Sequence, residues 1–495
     1  MNKLISTLLD YSFEHLGASK DDFMFLSNYL MVTLDVKDFE YESVDTSSYI
    51  VPDELTNKLY DRFIELGLDD KNANKKTCEV FGVLSPRPSE VKKNFNLLYE
   101  EDPKLATNYL FDLSIKNNYV QKTKIEQNVI INSDKEDGII VTINLSKPEK
   151  SNADIAKALK AANSGATSNY PKCPICIENE GCYGSSKTEP RNNLRLIPFE
   201  FSSDTWYLQY SPYGYYNEHC ILILKDHIPM EVNKANAKAL FEFVDTLPHY
   251  FIGANSDLPI VGGSILTHEH FQGGSFVMPL MKAKAKETIN HTKYNDLKFE
   301  ILDWPSFVIK VSGYNKNTML DAIDEMYQQY LSYSDESIEL INETNAVRHN
   351  TMTLIVEKNG ALYSAYIIYR NNRTNEEHKG GIFHVRECYQ HIKNEGIGLI
   401  EAMGLFIFPA RLKRQLKSVE EIINNPSKRE EIIAKSPDLE VFNGTIDDLL
   451  NKKYPSINAY LLHVGEAILE DISIVKYDRD GNATNRLLTT LGFEK

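Results

Sequence analysis

One stretch constrains this chain more than any other: Val261-Gly-Gly-Ser-Ile-Leu-Thr-His-Glu-His-Phe-Gln-Gly-Gly274. The apolar lead-in Leu258 to Ile260 and the pair Ile265-Leu266 predict a strand, a glycine turn and a second extended run. Side chains at i, i+2 and i+4 of an extended run share a face. His268, His270 and Gln272 are therefore expected to point one way, and Glu269 and Phe271 the other. Two imidazoles and a carboxamide in a row make a polar shelf suited to a phosphate, with Gly263 and Ser264 in a glycine loop that lets a ligand approach the backbone. The plainer alternative is a pair of surface histidines on an edge strand, because twelve histidines in one chain will produce a close pair by chance.

Length and charge narrow the function. The 495 residues suggest roughly two to four domains and ample material for a core. A net charge of -16 argues against broad binding to nucleic acid or anionic membranes, both of which need a basic surface. Leu4 to Leu9 is too short for a signal-peptide core, and no stretch is long and apolar enough to span a bilayer, so the expected location is the cytoplasm. Six cysteines in a chain this long do not form a disulfide framework and are expected as thiols.

Residues 1 to about 165 read as mainly helical, interrupted at Pro52, Pro86, Pro88 and Pro103, with Gly138 to Asn144 alternating like a strand. A small-residue loop from Asn163 to Pro171 leads into Cys173-Pro-Ile-Cys176. Two cysteines two residues apart form a half-site for tetrahedral zinc, whose thiolate bonds of about 2.3 Å fit such a bend. No second pair of this kind exists, so a metal must recruit Cys182 or histidines; the alternative is an unmetallated or redox pair. Strands are predicted at Trp206 to Tyr210 and Cys220 to Lys225, and a helix from about Lys234 to Thr246. The lysines of Met281 to Lys286 suggest an exposed helix face. Further strands are expected at Phe299 to Leu302, Ser306 to Val311, Met352 to Glu357 and Ala361 to Tyr369, the last two joined at Lys358-Asn359-Gly360. From about Glu420 onward the pattern is helical again.

The order His268-x-His270-x-Gln272 resembles the active-site signature of the galactose-1-phosphate uridylyltransferases, a branch of the histidine-triad superfamily. Glu269 stands where that branch often has proline, and with Phe-Gln-Gly-Gly274 it resembles the second, mainly bacterial class. Asn144 to Lys150, Gln209 to Tyr213, Asn217-Glu-His-Cys220, Pro248 to Gly253 and Ile397 to Glu401 are similar to that class too, so the likeness spans most of the chain. It implies an α+β fold: two histidine-triad-like antiparallel-sheet halves with helical N-terminal and C-terminal additions. The corresponding divisions are 1–165, 166–299, 300–419 and 420–495.

The resemblance also implies roles. His270 is the expected nucleophile and Gln272 its partner at the phosphate; UDP-glucose and galactose 1-phosphate are the substrates, and no organic cofactor is needed. Cys173, Cys176, His227 and His268 are the implied ligands of a structural zinc, with Cys182 in reserve. Arg191 or Arg195 is expected to neutralise the diphosphate, while Asn255 lies on the approach to the glycine loop. Glu401 is the candidate for the sugar hydroxyls, the alternative being a glutamate at the start of an apolar strand. Phe383-His-Val-Arg386 and Tyr389-Gln-His391 depart from the class, which puts a second metal site in doubt. A homodimer is implied. A nucleotide-sugar hydrolase or phosphorylase, or a non-catalytic nucleotide-sugar binder, would use the same site differently.

Overall fold

The computed structural model describes residues 1–145, 170–184 and 189–494. Residues 146–150 of the family-like segment and 163–169 of the small-residue loop lie outside the described residues. Helices and antiparallel strands are both extensive, as an α+β fold requires. Among the described residues, no helix is long and apolar enough to cross a membrane. The chain forms two compact units. Residues 1–126, 167–227 and 272–274 make the first, and the remainder makes the second, so the division falls within the strand His270–Gly274.

The first unit opens with amphipathic helices. Asn2–Tyr11 buries Ile5, Leu8 and Leu9, the i, i+3, i+4 spacing of one helix face. Asp53–Glu65, Asp70–Leu84, Pro88–Glu101 and Pro103–Lys116 follow. Their starts are legible locally: Asp69 accepts the Asn72 N–H, and Asp102 accepts that of Lys104 just before a proline that has no N–H to leave unsatisfied. The strands Ile197–Phe201, Asp204–Tyr210 and Cys220–Leu224 form an antiparallel meander in which Phe199 faces Trp206 and Leu208 faces Leu222. Ser202 and Ser203 both take positive φ (51 and 72), which makes a tight turn of the hand that suits twisted strands.

The second unit contains a six-strand antiparallel run in the order Phe251–Ala254, Asn350–Asn359, Leu362–Asn371, Val308–Gly313, Lys298–Leu302 and Ala285–Ile289. The helices Lys234–Thr246 and Lys316–Leu331 pack on Asn350–Asn359, a strand in which seven successive residues are buried. A separate three-stranded sheet pairs Val129–Asn132 with Ile140–Asn144, and Ile140–Asn144 runs parallel to Leu405–Pro409. The C-terminal stretch is helical: Arg411–Asn424, Arg429–Lys435, Asn443–Leu450, Ile457–Asp471 and Asn482–Thr490.

Four local expectations change. Leu258 to Ile260 is a turn, not a strand, and Ile260 has φ 75. The turn is pinned by Asp257, whose carboxylate accepts the Thr351 hydroxyl at 2.7 Å and Arg348 Nη2 at 2.6 Å, overriding the apolar pattern. Ile265-Leu266 is not a strand either; the extended run begins at His270. Of the Met281 to Lys286 lysines, Lys282 ends the short helix Pro279–Lys282, Lys284 lies in the link after it, and Lys286 is in the strand Ala285–Ile289, which pairs with Lys298–Leu302. In the hairpin, Asn359 still pairs with Leu362, so the turn is Gly360-Ala361, with Gly360 at φ 60.

Candidate active site

His270 begins its strand and is buried. Its Nδ1 lies 2.8 Å from the His268 carbonyl oxygen. A carbonyl can only accept, so Nδ1 carries the proton and Nε2 keeps an unprotonated lone pair. Burial pushes the ring's pKa down to about 4, so the imidazole is neutral at physiological pH. His268 is fully buried on the bend before the strand, so the i, i+2 rule relates His270 to Gln272 alone. Glu269 turns toward the helix side of its unit: it accepts the Glu231 N–H at 2.7 Å and Asn236 Nδ2 at 3.0 Å. Burial raises its carboxyl to about 8.

Gln272 is half-buried in the first unit, and His219 Nε2 donates to its Oε1 at 3.2 Å. With Nε2 as the donor, the NH2 group of Gln272 is left to donate elsewhere. His219 is itself held between the rings of Tyr215 and Tyr216, at 5.0 and 4.6 Å, and burial lowers its pKa to about 4. Sequence reading did not single it out. The available signal was its position at the mouth of the strand Cys220–Leu224, inside the family-like Asn217-Glu-His-Cys220.

The cysteine turn is built as a knuckle. Asn179 Nδ2 donates to the carbonyls of Cys173 and Cys176 at 3.0 and 2.9 Å, and the Cys173 N–H points at Cys176 Sγ at 3.2 Å. The two sulfurs are 3.4 Å apart, too far for a disulfide bond of about 2.05 Å. Cys176 Sγ lies 3.1 Å from His227 Nδ1. Cys173, Cys176 and His227 thus offer two sulfurs and a nitrogen within 4.8 Å of one another, a donor set that fits a thiophilic metal. Contact with Cys176 and burial both push the Cys173 thiol up, a cost that a bound cation would offset. Cys182 is not among these donors; it accepts the Gly184 N–H instead.

The two arginines separate. Arg195 is buried, and its guanidinium donates to the carbonyls of Pro86, Asn192, Leu194 and Gly82 at 2.8 to 2.9 Å, so it fastens loops. Arg191 is half-buried with its guanidinium 5.5 Å from the Tyr119 ring centroid. In the second unit, Asn255 Oδ1 accepts the Leu399 N–H at 2.8 Å, and its amide faces Gly263, where a Cβ would sit 2.9 Å from Nδ2. Gly262 is equally constrained, since a Cβ there would lie 2.3 Å from the Ser256 carbonyl oxygen. Ser264 is exposed. Glu401 stands in the short helix Leu399–Ala402, not at the start of a strand, and its carboxylate is bonded to Lys393 Nζ at 2.9 Å.

The second-half histidines have local partners. His384 Nε2 donates to the Glu395 carbonyl at 3.2 Å, His391 Nε2 meets Thr445 Oγ1 at 3.1 Å, and Arg386 grips Asp471 through Nε at 2.8 Å. Burial lowers both imidazoles to about 4 from the ordinary 6.5. Between those values the unfolded chain binds more protons than the folded one, so stability is full above about pH 6.5 and falls as pH drops toward 4. For the buried His384 the loss is about 3 kcal/mol. Calorimetry should show the melting temperature falling across this range, and falling less in His384→Gln; equal slopes would refute the assignment.

A neutral, oriented imidazole and a hydrogen-bonded carboxamide on one strand of an α+β fold are parts that a group-transferring enzyme can use. Residues 47–229 match the N-terminal domain of galactose-1-phosphate uridyl transferase, and residues 242–427 match its C-terminal domain. A Clostridium acetobutylicum galactose-1-phosphate uridylyltransferase is 40% identical over 85% of this chain and 84% of its own length. Proteins of the same name from Caldanaerobacter subterraneus and Fusobacterium nucleatum are 38% and 34% identical, covering 92% and 99% of this chain and 90% and 98% of their own. The chain belongs to the galactose-1-phosphate uridyl transferase family.

Proposed function

We propose that this protein transfers a uridylyl group from UDP-glucose to galactose 1-phosphate, in two displacements through a uridylyl-His270 intermediate. The observation that carries the reading is the His270 Nδ1–H bond to the His268 carbonyl, which leaves Nε2 nucleophilic at neutral pH. In the first displacement the Nε2 lone pair attacks the α-phosphorus, and the bond to the glucose 1-phosphate oxygen breaks with its electron pair. In the second, a phosphate oxygen of galactose 1-phosphate attacks the same phosphorus and the P–N bond breaks, giving UDP-galactose.

Gln272 donates its amide N–H groups to the non-bridging oxygens, with His219 holding the carboxamide in that sense. Arg191 is the proposed phosphate contact, because the guanidinium of Arg195 is already engaged by carbonyls. Gly263 and Ser264 admit the phosphates to the loop backbone, Asn255 holds that loop, and Glu401 accepts from sugar hydroxyls. Zinc held by Cys173, Cys176, His227 and His268 would supply a rigid cross-link near the nucleophile's strand, since four protein ligands fill a tetrahedral site. The thiol donors suit the reducing cytoplasm, and a homodimer is the proposed assembly, checked by sedimentation.

Incubation with UDP-glucose alone tests the reaction class. A transferase gains one uridylyl mass, stalls, and releases UDP-galactose only when galactose 1-phosphate is added. Steady release of UMP would mean hydrolysis, and ligand binding without an adduct would mean a binder; either outcome refutes the proposal. His219→Ala should lower kcat by about tenfold to a hundredfold, the effect of a misaligned oxyanion donor. Unchanged kcat would remove His219 from the site.

A further inference from the structure

Glu401, the proposed sugar ligand, is not a lone carboxylate. It shares its surroundings with Lys393, a lysine whose side chain has no exposure at all. Lys393 Nζ donates to Glu401 Oε1 at 2.9 Å and to the Ile407 carbonyl at 3.2 Å, and lies 3.4 Å from Glu395 Oε2. A second buried cation, Arg370 of the strand Leu362–Asn371, donates Nη1 to the Ile397 carbonyl at 3.0 Å. Burial pushes Arg370 down to about 10, with Glu401 the chief charge opposing that shift. Glu401 is therefore bonded to one buried cation and feels the charge of a second, while Asn255 fixes the start of its helix through the Leu399 N–H.

A buried ammonium is costly to retain unless it is paired and hydrogen-bonded. An apolar side chain of similar length would fill this space at lower cost, so the pairing calls for a reason beyond packing. Its geometric result is definite: one carboxylate oxygen is tied to Lys393, and the orientation of the other is set. An oriented anion accepts strongly from hydroxyl groups and discriminates among their positions, because a hydroxyl pointing elsewhere leaves a buried acceptor unsatisfied.

We propose that Lys393 is a positioning residue for hexose recognition, holding Glu401 as an oriented anion against the hydroxyls of the transferred sugar phosphate. This rests on the reading of Glu401 as the sugar ligand. Lys393 touches no substrate; it acts through Glu401. Without its ammonium the hydrogen bond to Oε1 is lost, and the buried carboxylate is no longer held in one orientation toward the hydroxyls. The charged and titratable groups that bear on the pair are Arg370, Glu395 and His384, and His384 is neutral above pH 6.5.

The test follows discharge of the preformed adduct by galactose 1-phosphate in wild type, Lys393→Met, Lys393→Arg and Glu401→Gln. Lys393→Met should lose about tenfold or more in kcat/KM, mostly through KM. Glu401→Gln should show a similar loss, and Lys393→Arg should restore most of the activity. A merely structural lysine would instead lower kcat and melting temperature together with KM unchanged, and that result would overturn the inference. So would Lys393→Met with wild-type kcat/KM beside an impaired Glu401→Gln. Normal discharge by Glu401→Gln would sink the prior reading of the sugar ligand. If Lys393→Met does not fold, Lys393→Gln keeps hydrogen-bonding capacity without charge and permits the same comparison.

Discussion

His270→Ala will fold and will not exchange hexoses: turnover should fall by about four orders of magnitude or more, the usual cost of deleting a nucleophile. A single bond orients the ring. With Nδ1–H committed to the His268 carbonyl, the one basic nitrogen is Nε2, and no second imidazole on the strand His270–Gly274 can replace it. The truncation also leaves a carbonyl acceptor unpaired, so stability should drop by about 1–3 kcal/mol, well short of unfolding. Intact-protein mass spectrometry with UDP-glucose checks both parts at once. The wild type should gain a uridylyl mass that galactose 1-phosphate removes, and the variant should remain at its own mass with a near-native melting temperature. Turnover within tenfold of wild type would place the nucleophile elsewhere.

Cys176→Ser should have the next largest effect, on metal content and stability together. Cys176 Sγ is the hub of its cluster: 3.4 Å from Cys173 Sγ, 3.1 Å from His227 Nδ1, and the acceptor of the Cys173 N–H. A hydroxyl is a poor ligand where a thiolate stood, so bound zinc should fall from about one per chain to near none, with a loss of about 3–5 kcal/mol in stability. Elemental analysis beside thermal melts measures this. A wild-type protein purified without metal, or a serine variant that keeps its full complement and melting temperature, would show that the thiols serve another purpose. Activity should fall less than in His270→Ala, because the proposed metal would fix the site's framework and take no part in the bond exchange.

Much of the site could be read along the chain because its parts are local. The Cys-x-x-Cys turn, the alternation of His270 and Gln272, and the glycines at 262 and 263 are each defined within a few residues, where spacing and backbone geometry decide the outcome. The helix Lys234–Thr246 was equally legible from its apolar spacing, and the structure adds Asn233 as its cap. Expectations changed where a distant residue overruled local pattern. Leu258 to Ile260 has the composition of a strand, yet Asp257, gripped by Arg348 and Thr351 from about ninety residues away, bends it into a turn.

Arginine roles were beyond the reach of sequence for the same reason. Arg191 and Arg195 are four residues apart and chemically identical; the carbonyls of Gly82 and Pro86, more than a hundred residues upstream, are what commit Arg195 to structure. Only the fold brings His219 Nε2 within 3.2 Å of Gln272 and buries Lys393 wholly against Glu401. The sequence by itself determined the chemistry available: an imidazole, a carboxamide and thiol donors at spacings that survive any packing. Tertiary structure alone decided which nitrogen is free to react, which arginine is already satisfied and which lysine is held without solvent. Those properties depend on burial and on partners far apart in the chain, which local spacing cannot encode.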